Sequence, residues 1–416
     1  MTNMSEPIQF LHLGLGAFHR AHQAVFIKQN IASISMRKSD VADSLTAQGN
    51  KYEVIARDAS GETTTLVESI KESLFYPRDI ARINEIAASP DLQAITLTVT
   101  EKAYKNDGPD GVPARLAHLL SERFKANAPG IAVVSCDNVP SNSKFLRELV
   151  LEVIAADGDS KLQEWVASNI RFPNSMIDRI VPAMTSAAIT TEPFNQWVIE
   201  HDAIAPLFVG SGVEFVPDVK PYELAKIRLF NGVHSTLAYI GEVEGIEFVA
   251  NAIVHPTIAP FIQALQEREM VPSIVETGGI DLVSYGATIR KRISNPTLRH
   301  RAHQIAMDGS QKMQQRIFDG ANELASQGKS PSLHQAAIAI WIHFLATNSE
   351  IDDPLAHKLT PLAQISVPLE AVTQTLTLPE FTRKLDSGLF PAIAEDLEII
   401  RSTSILELIS NKIATL

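Results

Sequence analysis

Cysteine is almost absent from this 416-residue chain: Cys136 stands alone, so no intrachain disulfide can form and no thiolate cluster can gather around a metal. A reducing, cytoplasmic setting is the expectation. Long apolar runs are missing too. The longest, "AAIAIWI" (336–342), falls far short of the ~18 residues that span a bilayer, and the opening "MTNMSEPIQF" has neither the basic nor the apolar segment of a signal peptide. No membrane partner is expected. Positive charge is in deficit, with 36 Lys and Arg against 48 Asp and Glu. The resulting net charge of −12 repels a phosphate polymer, which argues against nucleic acid as a partner. Repeats and low-complexity segments are lacking as well. With 45% hydrophobic and 20% charged residues the chain can bury a large core, and its length suggests two or three domains.

What is present is an alternation of short apolar runs with helical patterns. "IQFLHLGLG" leads into the helix-like "RAHQAVFIKQN", followed by strand-like "IASISMR", "YEVIAR", "AITLTVT" and "GIAVVSCDN". These runs lack strict polar alternation, as strands covered on both faces do. The fold class expected is α/β: a Rossmann-type, doubly wound parallel sheet. From about Val216 the texture changes. "KPYELAKIRLFNGVHSTLAYIG" begins with Pro221 at a first helical position and runs to a stop at Gly241, and further long helical patterns follow. The expected division is a dinucleotide-binding domain over 1–216 and a mostly α-helical domain over 217–416.

The first strand ends in "GLGAFHRAHQ", in which Gly14 and Gly16 fit G-x-G-x-x-G and His19 takes the place of the third glycine. After a strand and before a helix, Gly14 allows the tight turn and Gly16 lets the backbone approach a pyrophosphate; Ala17 and Phe18 then open the helix whose N–H groups face the anion. A bare turn is the plainer alternative. His19 and His22 could share a helical face as a metal pair, but no further ligands stand nearby, so no metal is expected. Two other strand ends carry polar clusters, Thr100, Glu101 and Lys102 in "TLTVTEKAY" and Cys136, Asp137 and Asn138 in "VVSCDNVP". Each could be ordinary turn chemistry. Together, on the side of a doubly wound sheet where ligands gather, they favour a site, with Thr100 and Glu101 as candidate cofactor contacts. "FPNSMIDRIVP" sets Asp178 and Arg179 among hydrophobics, which by itself reads as an internal ion pair or a loop anchor.

"KIRLFNGVH" holds the sharpest constellation. At about 100° per residue, Lys226, Asn231 and His234 fall on one broad face of an otherwise apolar helix. A snorkelling lysine, a capping amide and a satisfied histidine would explain the pattern without chemistry. Oxidation of a secondary alcohol, however, needs a base for the hydroxyl proton and donors for the developing oxyanion, and these three side chains supply both without a metal.

With these stretches in view, the sequence resembles the mannitol dehydrogenase family, the long-chain polyol-specific dehydrogenases that include fructuronate (mannonate) reductases. "HLGLGAFHRAHQAVF", "TLTVTEKAY", "SCDNVPSN", "FPNSMIDRIVP", "TEPFNQWVIE", "PYELAKIRLFNGVHSTLAYIG" and "ISNPTLRHRAHQIAMDGSQKMQQRI" match it in order and span most of the chain. The resemblance implies a Rossmann-type domain, a helical domain and an active site between them, with NAD as cofactor on the glycine loop. It implies Lys226 as general base, Asn138 and Asn231 as the oxyanion hole, and His234 as the group that positions and polarises the substrate oxygen. Glu223 matches a position associated with proton passage to solvent, and Asp178 and Lys312 match positions that contact substrate hydroxyls. Asp40 is the candidate contact to the adenosine ribose. Several connectors are shorter than the family's, which touches rim contacts more than chemistry.

The wording of "GAFHRAHQA" and "HRAHQIAMDGSQK" is closer to the fructuronate reductase branch, so a sugar acid such as mannonate is the expected substrate, with a polyol such as mannitol as the alternative. A carboxylate end calls for a further cation, for which Arg299, Arg301 and Arg316 are candidates. A catalytically silent nucleotide-binding protein would be expected to lose Lys226 or the amide pair, and both are present. The resemblance demands no particular oligomeric state, and a monomer suffices.

Overall fold

The computed structural model describes residues 7–100, 103–182 and 189–416. The chain forms two compact units, residues 1–220 and 221–416.

The first unit carries strands β1 (Phe10–Leu13), β2 (Ile31–Ser35), β3 (Tyr52–Asp58), β4 (Gly61–Val67), β5 (Ile70–Phe75), β6 (Ala94–Leu97), β7 (Ala132–Ser135), β8 (Ser175–Asp178), β9 (Ile189–Thr191), β10 (Gln196–Glu200) and β11 (Glu214–Val216). Five of them make one sheet in the order β5-β2-β1-β6-β7, with every pairing parallel. All residues of β1, β6 and β7 are buried, which is why these strands read as unbroken apolar runs. Helices Ala17–Ala21 and Gln23–Phe26, Asp40–Ala47, Ile80–Ala88 and Val112–Lys125 lie in the connections between its strands, and Asn142–Ala156 follows β7. The chain order reverses at β1, flanked by β2 on one side and β6 on the other. That reversal opens the crevice at which doubly wound sheets bind ligands.

Two sequence expectations are corrected here. "YEVIAR" does not join the parallel sheet. It forms β3, which pairs antiparallel with β4 and parallel with β9 in a separate three-stranded sheet. The turn after Asp58, where the Asp58 carboxylate accepts from the Ser60 N–H at 2.8 Å, folds the chain straight back into β4. The helix after the glycine loop is also not continuous. It runs Ala17–Ala21, breaks at His22 (φ −124°, ψ −85°) and resumes as Gln23–Phe26. His22 leaves the helical region with its Nε2 at 2.8 Å from the Gln196 carbonyl and its ring against Phe26 and Trp197.

The second unit is helical. Its central helix, Ser332–Thr347, is buried on nearly every side, as a helix apolar all round must be, and contains the chain's longest apolar run. Val233–Glu244 and Phe390–Ser402 pack against it. The segment read as one helix from Pro221 to Gly241 has three parts: α-helix Lys220–Ala225, a π-helical stretch Lys226–Gly232, and α-helix Val233–Glu244. The stop is Gly245, left-handed at φ +71°. Gly241 lies inside the helix, where a Cβ would come within 2.9 Å of the Ile246 carbonyl oxygen and 3.0 Å of the Ala302 methyl. Among the described residues no helix is long and apolar enough to cross a membrane.

Candidate active site

In the first unit the carboxyl ends of β1, β6 and β7 collect most of the predicted cofactor residues. Gly14, at φ +112°, bonds through its N–H to the Ile34 carbonyl at 2.9 Å, and its own carbonyl accepts from Thr98 Oγ1 at 3.0 Å. A Cβ here would lie 2.0 Å from the Thr98 carbonyl oxygen, so β1 and β6 approach closely enough to demand glycine. Gly16 is different. It is exposed, its φ of −95° suits any residue, and a Cβ would meet no protein atom closer than 4.0 Å. The protein itself does not need a glycine at 16, whereas a pyrophosphate laid against the backbone does. Ala17 and Phe18 form the first turn after it, half-buried. The residues present therefore fit a dinucleotide.

His19 fills the space left to the third glycine of the motif. Its ring stacks on His12 with centroids 3.4 Å apart, and its Nε2 lies 2.8 Å from Ser33 Oγ on β2. His12 Nδ1 and Nε2 lie 2.7 and 2.8 Å from the hydroxyls of Thr96 and Thr98. Burial pushes His12 down to about 3 and His19 well below the ordinary imidazole value, so both rings are neutral. His19 and His22 do not converge: one faces Ser33 and the other Gln196.

Asn138 is exposed just beyond β7, and Thr100 is exposed beyond β6. Asp178 is buried at the end of β8, opposite Gln196. Arg179, read as its ion-pair partner, donates instead to the carbonyls of Ala21 and Glu192. Asp40 is exposed at the start of helix Asp40–Ala47, five residues past the end of β2. Glu101 lies outside the described residues. Asp137, named in the β7 strand-end cluster without a role of its own, is buried with a carboxylate that accepts from the N–H groups of Val99 and Thr100 and from the Tyr104 hydroxyl.

In the second unit Glu223, Lys226, Asn231 and His234 lie along one continuous stretch. Lys226 and His234 are buried, while Glu223 and Asn231 are half-buried. Lys226 and Asn231 lie within the π-helical part. An i→i+5 turn stacks residues five apart, whereas 3.6-residue periodicity sets the amide well round the helix from the lysine. Leu229, inside this wide turn, has its carbonyl satisfied by the buried Gln266 amide at 2.9 Å.

His234 Nε2 is buried with no hydrogen-bond partner among the described residues. Its ring packs against Phe230 at 4.6 Å and meets the His300 ring edge-to-face at 5.3 Å. Burial, then the nearby His300, Arg316 and Arg292, hold it well below the usual histidine range. His300 is pushed down to about 4 by burial and by Lys312. Lys312 donates to the carbonyls of Met307 at 2.5 Å and Ile305 at 3.4 Å. Of the arginines proposed from sequence, Arg316 is the one beside His234, donating to Ser235 Oγ at 2.9 Å. Arg301 is paired with Glu247, and Arg299 lies over the Phe248 ring. Arg292, which stacks on Phe230 at 4.7 Å, and His300 were missed. His300 opens the matched stretch "HRAHQIAMDGSQK" without a role of its own there, and Arg292 stands just outside "ISNPTLRH", so the packing is what reveals them.

Sequence profiles of the mannitol dehydrogenase Rossmann domain and of the mannitol dehydrogenase C-terminal domain match residues 8–206 and 218–400. The D-mannonate oxidoreductase of Escherichia coli is 33% identical over 387 residues, covering 81% of this chain and 79% of that protein. The mannitol 2-dehydrogenase of Pyricularia oryzae is 31% identical over 417 residues, covering 85% and 82%. The chain belongs to the mannitol dehydrogenase family. Among solved structures, the Pseudomonas fluorescens mannitol 2-dehydrogenase, in a ternary complex with NAD and D-mannitol, has the same fold. The match has a TM-score of 0.85 at 24% identity and covers 100% of this chain and 96% of that one. In this chain of the mannitol dehydrogenase family, His19 holds the third-glycine position as a packed residue, stacked on His12 and bonded to Ser33.

Proposed function

We propose that the chain is a metal-independent, NAD(H)-dependent oxidoreductase that interconverts a secondary alcohol of a sugar acid with its keto form, D-mannonate and D-fructuronate being the pair. The broader class, a NAD-dependent oxidoreductase of polyols or sugar acids, is the one its mannitol dehydrogenase relatives support. The observation that carries the chemistry is that Lys226 and Asn231 share one wide turn, with the buried, unpartnered Nε2 of neutral His234 three residues after Asn231 in the next helix.

Bound NADH supplies the hydride. Lys226 gives its proton to the oxygen that becomes the hydroxyl, and takes it back in the oxidative direction. Asn231, and by resemblance Asn138, donate to that oxygen as charge builds on it. His234, kept neutral by burial, keeps one ring nitrogen as donor and so orients the oxygen without adding a competing acid. Glu223, one turn before Lys226, is assigned the passage of the proton to solvent. Asp178 and Lys312 are assigned to substrate hydroxyls, Gly14 to Phe18 to the pyrophosphate, and Asp40 to the ribose.

The choice of a sugar acid over a polyol is supported by the charge around His234. Arg292 and Arg316 both act on that ring, and Lys312 acts on the neighbouring His300, a cationic surround that suits a carboxylate. Assay of the purified protein with NADH against fructuronate and fructose tests this, with higher kcat/KM expected for fructuronate. A clear preference for fructose would make it a mannitol 2-dehydrogenase. In the same assay Lys226→Ala is expected to lower kcat by about 10²-fold or more while NADH still binds; unchanged turnover removes the lysine from its role.

A further inference from the structure

Thr100 adopts φ +73°, in the left-handed region that favours glycine and that a β-branched side chain enters only under constraint. The constraint is visible. The Asp137 carboxylate accepts from the Thr100 N–H at 2.8 Å and from the Val99 N–H at 3.0 Å through Oδ1, while Oδ2 takes the Tyr104 hydroxyl at 2.9 Å. Tyr104 in turn shares a hydrogen bond with Ser135 Oγ on β7, and its ring stacks over Phe145 at 6.1 Å. The backbone of Asp137 is fixed as well, since its carbonyl accepts from Asn142 Nδ2 at 3.0 Å and from the Val139 N–H at 2.9 Å. One carboxylate thus stitches the loop after β6 to the loop after β7, at the carboxyl ends of adjacent strands. Immediately next to it on those loops stand Thr100 and Asn138, the first assigned to the cofactor and the second to the substrate oxygen.

We propose that Asp137 is a positioning residue of the dehydrogenase: it latches Thr100 in its strained backbone conformation and so sets the cofactor-side loop in the arrangement that binds the dinucleotide. The assignment rests on the dehydrogenase reading above. A plain turn cap would satisfy backbone donors in an unstrained loop, and its loss would cost stability alone. A latch does something more. It holds a conformation that the loop leaves when released, so its loss weakens NADH binding even in protein that is fully folded. Asparagine in its place keeps the shape but offers one acceptor oxygen where two oxygens now serve three donors.

The test measures NADH dissociation constants by nicotinamide fluorescence, well below the unfolding temperature. Asp137→Asn is expected to weaken NADH binding by about tenfold or more. Adding Thr100→Gly, which makes the left-handed conformation accessible without force, is expected to bring the affinity to within about threefold of Thr100→Gly alone, the reference against which rescue is judged because it already lacks the Thr100 side chain. Thr100→Gly alone is expected to raise the unfolding midpoint, because it relieves the strain. If Asp137→Asn cannot be obtained folded, Tyr104→Phe removes one strut of the latch, and the same rescue by glycine is expected. The latch is overturned if Asp137→Asn binds NADH normally and is merely less stable, if glycine at 100 gives no rescue, or if Thr100→Gly lowers the midpoint. Should the unmodified chain fail to bind NADH, the dehydrogenase reading itself falls, an outcome distinct from all of these.

Discussion

Gly14 and Gly16 stand two residues apart in one motif, yet they are glycine for unrelated reasons. At Gly14 a methyl would sit 2.0 Å from a backbone oxygen of β6 at a φ of +112°, so the fold forbids it. At Gly16 the surroundings are open and the dihedrals ordinary, so no protein atom forbids it, whereas a pyrophosphate against the backbone would. Their alanine variants should therefore fail differently. Gly14→Ala is expected to destabilise the first unit by about 3 kcal/mol or more, since backbone must move on either side of the clash. Gly16→Ala is expected to change stability by less than about 1 kcal/mol and to weaken NADH binding by about tenfold or more. Thermal unfolding and NADH titration of the two proteins separate the outcomes. Equal loss of stability in both would mean that the loop is a structural turn and nothing else. His19 completes the picture at this scale: by stacking on His12 and reaching Ser33, a side chain does the packing that close helix approach does in the glycine version.

The helical element that carries Lys226 depends on its wide turn, and the wide turn depends on its neighbours. Gly232 closes the stretch Lys226–Gly232, where a Cβ would come within 3.0 Å of both the Arg316 carbonyl oxygen and the Met270 methyl. Those two residues lie in the π-helical stretches Gln314–Phe318 and Leu265–Met270, so three widened turns meet at one glycine. Gly232→Ala is expected to cost about 1–3 kcal/mol by overpacking and to lower kcat, because Asn231 and His234 flank the displaced backbone. Stability measured by urea unfolding together with single-turnover rates checks this, and full activity in the variant would show that the crossing does not set the catalytic side chains. The same element shows what a sequence can and cannot convey. Residue types and order were legible, because Lys, Asn and His inside an apolar stretch are conspicuous. Their stacking was not, because an inserted π turn leaves no mark on hydrophobic periodicity and is held by Gln266 and Gly232, remote in sequence or without a side chain. The parallel sheet was legible from β1, β6 and β7, whose burial on both faces writes itself as unbroken apolar runs. β3 was misplaced for the complementary reason: a strand's residues report how it is covered, not which neighbour it pairs with.

Across the whole molecule, both units hold neutral histidines, buried His12 and His19 in the first and buried His234 with half-buried His300 in the second. Burial is the first cause of the depression in all four, to about 3 for His12 and about 4 for His300, and well below the ordinary value for the other two. Each ring takes up a proton near pH 6.5 in the unfolded chain but stays neutral in the folded one. The stability these rings permit is therefore fully present above about pH 6.5 and is lost as the pH falls toward the folded values. A falling pH also relaxes the self-repulsion of a chain with net charge −12, which favours folding. The histidine effect is the larger, because four protons bound only by the unfolded chain add slopes of about 1.4 kcal/mol per pH unit each. Urea unfolding at pH 7.5 and 5.5 is expected to show a loss of roughly 1 kcal/mol per ring, with the transitions of both units moving in the same direction. NADH affinity, read on protein still folded at pH 6, should be retained, since the stacked pair beneath the glycine loop remains uncharged there. A stability that is flat or rises between pH 7.5 and 5.5 would show that these rings titrate normally in the fold, and that the polar layer under the phosphate loop is open to water.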